Sequence, residues 1–191
     1  MSKTKLNALI PFWLFIIFFQ FSGNIHYTFL PILGDKLTAT WIVGLIIGAL
    51  SFTQLILDVP AGFLLDKFGY TKMLRLGTII FIFSALILAF FPGLVGFIIA
   101  AISSAFGWLF FMPGINAYIL SMAPPQNGEK FMVLRDISSA SGITLGCLAL
   151  MFTINFSPTT TGLISAALFF LTLFFIWISP KDTISVNQEK K

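Results

Sequence analysis

Charge is the scarcest feature of this sequence. Only 9% of its 191 residues are charged, whereas 58% are hydrophobic, and the mean hydropathy is +0.99. Soluble domains average about 25% charged residues, so this chain has too little polar surface to cover a globule in water. The sequence therefore predicts an integral membrane protein. Its apolar runs are long and continuous, which favours membrane-spanning helices over the short alternating strands of a barrel.

Cysteine and histidine are almost absent as well. Cys147 and His26 are the only residues of their types, which excludes an intramolecular disulfide and argues against a metal site built from several such ligands. The sequence also lacks a membrane-embedded His/Asp cluster, a Ser–His pair in a motif and a phosphate-binding loop. We therefore expect neither an enzyme nor a cofactor. The net charge of +4 comes from basic residues in separate short loops, so we expect no nucleic-acid partner.

Long apolar segments are what the sequence has in abundance. A spanning helix needs roughly 20 mostly apolar residues, and six segments reach that length. We predict an all-α integral membrane protein with a six-helix domain over residues 1–180, followed by a polar tail or the start of a linker at 181–191. The first segment is interpreted as a retained helix, because no small-residue cleavage site follows it. The predicted spans are approximately 8–32, 40–63, 72–91, 94–121, 132–154 and 162–179.

The basic residues indicate how the helices are oriented. Cytoplasmic loops of membrane proteins carry an excess of lysine and arginine. If the N-terminus lies inside, the inner segments carry ten of the 11 basic residues, and the outer loops carry only Lys36. We therefore expect both termini in the cytoplasm and a multi-pass protein of the plasma (inner) membrane.

Five of the 18 charged residues fall in one stretch, residues 58–75, which reads DVPAGFLLDKFGYTKMLR and is called the signature segment below. It resembles the cytoplasmic signature loop of the major facilitator superfamily of transporters, whose pattern is G-x-L-x-D-R/K-x-G-R/K-R/K-x-x-L. Two positions depart from that pattern: Tyr70 and Thr71 stand where the family has basic residues, and Lys72 comes one place late. Upstream, Asp58-x-Pro60-x-Gly62 is similar to an acidic-x-Pro-x-Gly sequence common in these proteins.

The resemblance implies that the signature segment is a gate. Asp66 would contact neighbouring helix ends and basic residues in one of two alternating conformations. Gly62 would let a neighbouring backbone approach closely, and Gly69 would permit a tight turn. Lys72 and Arg75 could equally serve only to set the orientation. The candidate gating residues are Asp58, Pro60, Gly62, Leu64, Asp66, Lys67, Gly69, Lys72 and Arg75.

The resemblance also implies two three-helix inverted repeats, with the first and fourth helices facing a central cavity. Polar side chains on those helices would then line the cavity, although hydrogen bonding between helices would explain them equally well. His26 could carry protons, or it could be a neutral histidine with one hydrogen bond. We expect Pro113 to interrupt the fourth-helix face. The candidate cavity residues are Gln20, Asn24, His26, Tyr27, Ser103, Gly107, Asn116 and Tyr118.

Two further helices only partly resemble the family. Many members carry an arginine and a glutamine in the fourth helix, where this chain has Ser103 and Phe106. In the fifth, Gly142-x-x-x-Gly146 resembles the start of an exporter motif, but Cys147 replaces its proline. Simple close packing of helices explains this glycine pair as well, and the same interpretation applies to Gly44 and Gly48.

The resemblance implies transmembrane transport of a small solute by alternating access, by a secondary transporter or its N-terminal half. The expected partners are a small-molecule substrate, the lipid bilayer and a second six-helix half or a second copy. The alternative is a truncated or partner membrane subunit that does not transport. We expect no carboxylate at the middle of a span for ion coupling, because Asp58 is placed toward the cytoplasmic end of its helix.

Overall fold

The computed structural model describes residues 10–123, 128–153 and 155–179, except the side chain of Met122. All the regular structure in these ranges is helical, and each helix is long and apolar enough to span a membrane. The predicted all-α class and the six helices are confirmed. The predicted tail at 181–191 lies outside the described residues. The helices are α1 (Ile10–Leu37), α2 (Thr40–Phe68), α3 (Tyr70–Phe90), α4 (Leu94–Met122), α5 (Gly128–Thr153) and α6 (Pro158–Ile178).

The largest departure from the predicted boundaries lies between α2 and α3. We expected a loop over about 64–71, but α2 continues to Phe68 and α3 begins at Tyr70. Gly69 alone separates them, with φ 79° and ψ 155°, and its N–H closes α2 on the Leu65 carbonyl at 2.8 Å. A side chain would strain that backbone conformation. Glycine therefore reverses the chain in one residue, and most of the signature segment stays helical.

Prolines do not end the helices that contain them. Pro31 lies inside α1 and Pro113 inside α4. The interruption expected at Pro113 is therefore absent, and α4 carries its residues on one continuous helix. A membrane helix tolerates an internal proline when neighbouring helices and local adjustments satisfy the freed backbone groups.

Helices α1, α3, α4 and α6 form the packed centre. Helix α3 lies between α4 and α6, and α6 also packs on α1. The core is built mainly from phenylalanine rings that are fully buried, and Phe19 of α1 stacks on Phe111 of α4 with the ring centroids 3.4 Å apart. The fully buried aromatic side chains are Phe12, Phe15, Phe19, Phe81, Phe97, Phe111, Tyr118 and Phe169.

Helices α2 and α5 lie at the periphery. Helix α2 contacts mainly α4, and α5 contacts mainly α1. Among the described side chains of α2, only Val43 and Ala61 are buried. Large apolar side chains such as Phe52 and Phe63 of α2 and Phe152 of α5 are exposed. In lipid this exposure is not costly, and it leaves two helix faces free for another membrane-embedded surface.

Glycine decides how closely α5 approaches α1. A methyl group added at Gly142 would collide with the Ile17 carbonyl oxygen, and one added at Gly146 would lie 2.7 Å from Cβ of Asn24. By contrast, a methyl group at Gly44, Gly48 or Gly62 would meet no atom within 4 Å. Close packing is therefore made at the α5 glycines. The approach expected at the three α2 glycines is not made inside the described part of the chain.

Candidate functional site

Asp66 and Lys67 occupy the last turn of α2, beside the Gly69 reversal. Both side chains are exposed. Within the described residues neither forms an ion pair, and the Lys67 ammonium lies 5.6 Å from the ring centroid of Phe68. Because the turn is a single residue, the carboxylate of Asp66 is held at the end of the helix rather than on a long loop. This geometry leaves Asp66 available to a partner that approaches the α2–α3 turn.

Lys72 and Arg75 of α3 have different environments. Lys72 is exposed, whereas Arg75 is partly buried and its guanidinium carbon lies 4.4 Å from the ring centroid of Trp177 on α6. The Nε and Nη2 atoms of Arg75 are buried and have no hydrogen-bond partner in the described part of the chain. Arg75 therefore joins α3 to α6, in addition to any role at the turn.

The other three signature residues lie on α2 inside the span. Asp58 and Pro60 are exposed, and Leu64 is partly buried. Asp58 lies ten residues before Phe68, the last residue of the helix, which corresponds to about 15 Å. Asp58 therefore lies farther from the end of α2 than the predicted boundary at residue 63 suggested. The reason is that α2 continues through the polar residues that follow Gly62.

His26 lies in the interior between α1, α3 and α4 and is 1% exposed. Its Nε2 atom is 2.9 Å from Oγ of Ser84 and 3.0 Å from Oγ of Ser104. Both hydroxyls also donate to the carbonyl of Ala100, at 2.7 and 2.8 Å. This cluster supplies partners for Nε2 of the imidazole within the helix bundle. Sequence reasoning did not find Ser84 or Ser104, because a single serine in an apolar run gives no sign of its partner.

The other polar residues of α1 contact neighbouring helices too. Gln20 donates to Oγ of Ser139 on α5 at 3.2 Å, and Asn24 accepts a 3.5 Å hydrogen bond from the Cys147 thiol. Tyr27 donates to the carbonyl of Ser104 on α4 at 3.0 Å. Hydrogen bonding between helices, the second interpretation of these residues, is thus observed for all three. Gln20, Asn24 and Tyr27 remain only partly buried.

The α4 candidates fall into two groups. Gly107 and Tyr118 are buried in the core, where Tyr118 stacks on Phe12 at 4.1 Å between ring centroids. Ser103 is partly buried. Asn116 accepts a hydrogen bond from Arg135 of α5, which also contacts the carboxylate of its neighbour Asp136. Asn116 therefore links α4 to α5, a contact that the sequence did not reveal.

The structure brings together one set of residues that the sequence did not group. Ser51, Gln54 and Asp58 of α2 face Trp108 and Met112 of α4 across a groove of about 290 Å³. The Gln54 amide donates to the carbonyl of Ala105 at 3.2 Å and ties the two walls together. Among the described residues no cluster of three or more His, Cys, Asp or Glu side chains could hold a metal ion.

Comparisons with known proteins agree with this architecture. A family model described as Major Facilitator Superfamily matches residues 12–191. A protein of Mycobacterium tuberculosis (strain CDC 1551 / Oshkosh), named as a putative uncharacterized MFS-type transporter, is 29% identical over 178 residues. That match covers 90% of this chain and 42% of the relative. The chain thus spans less than half the length of that protein.

Two shorter matches cover part of the chain. The Multidrug resistance protein 2 of Bacillus subtilis (strain 168) is 29% identical over 104 residues, which is 54% of this chain and 26% of that protein. An uncharacterized MFS-type transporter of Methanocaldococcus jannaschii has the same identity over a stretch of the same length.

Proposed function

Because the chain belongs to the Major Facilitator Superfamily, we propose that it carries out transport of a small solute across the plasma membrane by alternating access, as a secondary transporter or its N-terminal half. The observation that carries this proposal is the environment of the Asp66 side chain. Its carboxylate is exposed at a one-residue turn and has no ion pair among the described residues. A charge near lipid needs a partner. A partner that Asp66 contacts in only one of the two alternating conformations would hold that conformation closed, and this contact is called the latch below.

The latch works through the rigidity of its support. Gly69 joins α2 and α3 directly, so a contact made by Asp66 or Lys67 pulls on two spanning helices at once. When the contact forms, the side of the protein that carries Asp66 closes. When it breaks, that side opens, and the solute site is exposed there. The relatives named as MFS-type transporters support transport in general.

A two-walled cavity needs a second body, and the exposed faces of α2 and α5 are where we place it. Both helices are peripheral, with most of their apolar side chains exposed. Gly44 and Gly48 of α2 have open space where a methyl group would stand, so another helix could approach them closely. We propose that a second six-helix half or a second copy covers these faces, with both termini of this chain in the cytoplasm.

The alternative is a membrane subunit that does not transport. Ser103 and Phe106 favour it, because the resemblance places an arginine and a glutamine at those positions of α4 in many family members. Serine and phenylalanine are uncharged, so neither position supplies a charged group for ion coupling.

Uptake into proteoliposomes separates the two functions. We would measure a panel of radiolabelled anionic, neutral and cationic solutes with the parent protein, with Asp66→Asn and with Asp35→Asn. Asp35 is exposed near the end of α1 and serves as the matched control. We expect one class of solute to be taken up, Asp66→Asn to abolish most of that uptake, and Asp35→Asn to preserve it. Uptake unchanged by Asp66→Asn at normal membrane levels would remove the latch, and no uptake of any solute would exclude transport by this chain without a second half.

A further inference from the structure

The groove between α2 and α4 has a carboxylate, that of Asp58, on its wall. Ser51, Gln54 and Asp58 share one face of α2 because they are spaced by three and four residues. Trp108 and Met112 form the facing wall on α4. Two larger grooves elsewhere are lined almost wholly by apolar side chains, which lipid tails can cover. The α2–α4 groove is different because its charged side chain is a carboxylate, Asp58, whereas the charged residue beside one of the larger grooves is Lys72.

Centring α2 on the bilayer places Asp58 inside the hydrocarbon region. Gln54 is the midpoint of α2, and Asp58 is four residues beyond it, about 6 Å along the helix. The hydrocarbon core extends about 15 Å to either side of its centre. The side chain is exposed, and the described residues give it neither an ion pair nor a hydrogen bond. Carboxylates at such depths are costly and mark substrate or ion pathways unless they are paired.

Trp108 supplies the second recognition element. Its ring is parallel to Phe19, with centroids 5.8 Å apart, and to Phe111 at 5.7 Å. Phe81 contacts it edge-on at 6.0 Å. These rings fix the indole, so its orientation in the groove is set before any ligand arrives. Tryptophan is the aromatic side chain that attracts cations most strongly through its face.

We propose that this groove binds a small organic cation with an ammonium group, with Asp58 as its counter-ion and Trp108 as its aromatic wall. The proposal rests on the proposed solute transport and names the substrate class. Asp58 would then act in the solute site rather than in the latch, although it belongs to the signature segment. A volume of about 290 Å³ is at the lower limit for drug-sized ligands, so we expect a compact alkylammonium ion.

Choline and its neutral isostere, 3,3-dimethylbutan-1-ol, test the role of charge directly. The protein in lipid nanodiscs would be equilibrated with tritiated choline, and bound label would be displaced with either compound. The two differ in having nitrogen or carbon at the branched centre, so their shapes match while their charges do not. We expect unlabelled choline to displace the label and the alcohol to leave it bound at ten times the concentration. Equal displacement by both compounds would overturn the proposal.

Substitutions in the groove locate the binding. Asp58→Asn should weaken choline binding at least about tenfold, because it removes the counter-ion, whereas Asp58→Glu should stay within a few-fold of the parent. Trp108→Leu should weaken binding about five- to tenfold, and Trp108→Phe should weaken it less. The control Asp35→Asn should bind as the parent does. Gel filtration would confirm that each variant is folded, and Asp58→Asn binding with parental affinity would overturn the proposal.

The binding and uptake experiments test the cation site and transport separately. Equilibrium binding does not require a conformational cycle, so Asp66→Asn should keep its choline affinity while it loses uptake. If no solute is taken up but choline binding depends on Asp58, the cation site stands and transport by this chain without a second half fails. If another class of solute is taken up and choline binding does not depend on Asp58, transport stands and the cation site is wrong.

Discussion

The guanidinium of Arg75 stacks over the indole of Trp177, with its central carbon 4.4 Å from the ring centroid. The contact joins the first turns of α3 to the last turn of α6, next to the α2–α3 turn that carries Asp66. Arg75, which the sequence left open between a gating role and a role in orientation, thus contacts another helix of the six-helix unit. The position of Arg75 is therefore set in part by α6.

Replacing Trp177 should therefore loosen the α3–α6 contact. We expect Trp177→Leu to lower the stability of the detergent-solubilised protein by about 1 kcal/mol, because the cation–π contact is lost while an apolar side chain remains. Trp41→Leu is the control, since Trp41 is 70% exposed at the other end of α2. The measurement is the thermal unfolding midpoint, and equal midpoints for the two variants would show that the stacking contributes nothing.

His26→Ala should destabilise the bundle. The change removes the ring that bridges Ser84 and Ser104, and we expect a loss of about 1–3 kcal/mol because buried hydroxyls lose a partner. Ser22→Ala is the matched control on the same helix, since its hydroxyl donates to the Phe18 carbonyl one turn away and, among the described residues, makes no bond to another helix. Thermal unfolding of the two variants side by side measures the difference.

The same variant tests whether His26 carries protons. Because the imidazole is enclosed by Ser84 and Ser104, we expect His26→Ala to reduce uptake less than Asp66→Asn and to keep the pH profile of the parent. Uptake that no longer responds to pH in His26→Ala would favour the proton carrier instead.

Gly142 and Gly48 should respond differently to the same substitution. A methyl group at Gly142 would collide with the Ile17 carbonyl oxygen and lie 2.8 Å from Cβ of Gln20, so Gly142→Ala should separate α5 from α1 at a cost of about 1–3 kcal/mol. Gly48→Ala meets no atom within 4 Å and should be close to neutral. Thermal unfolding compares the pair, and a neutral Gly142→Ala would contradict the observed α1–α5 contact.

Gly69→Ala should strain the turn between α2 and α3. A φ of 79° with ψ of 155° is a conformation that essentially only glycine adopts, and we expect a loss of about 1–3 kcal/mol. Gly93 lies in the three-residue connection between α3 and α4, at φ −100° with open space where a methyl group would stand. Gly93→Ala should therefore be tolerated, and similar unfolding midpoints for the two variants would argue against the strained turn.

Much of the fold could be predicted from the sequence because long apolar runs have few alternatives in a membrane. The reversal at Gly69 also agreed with the role that the motif suggested. The extent of α2 was not predictable in the same way, since Asp66 and Lys67 look like loop residues although a helix end solvates them equally well. Because the predicted helix ended too early, the prediction also placed Asp58 too close to the end of the span.

The side-chain partners were harder to predict for a physical reason. Ser84 and Ser104 are 58 and 78 residues from His26, and a hydroxyl in an apolar run fits lipid, its own helix or a partner helix. The two glycine pairs make the same point. Gly142 and Gly146 have the same spacing as Gly44 and Gly48, but only the first pair meets a neighbouring helix.

Alternating access gated by Asp66 is tested most directly by the accessibility of Met112, which lines the α2–α4 groove. Met112→Cys, made together with Cys147→Ser, provides a single thiol that a membrane-impermeant maleimide would label in sealed vesicles of either orientation. We predict that adding Asp66→Asn raises the labelling rate several-fold from the side that carries Asp66 and lowers it from the opposite side. Labelling rates that Asp66→Asn leaves unchanged on both sides would contradict the gate.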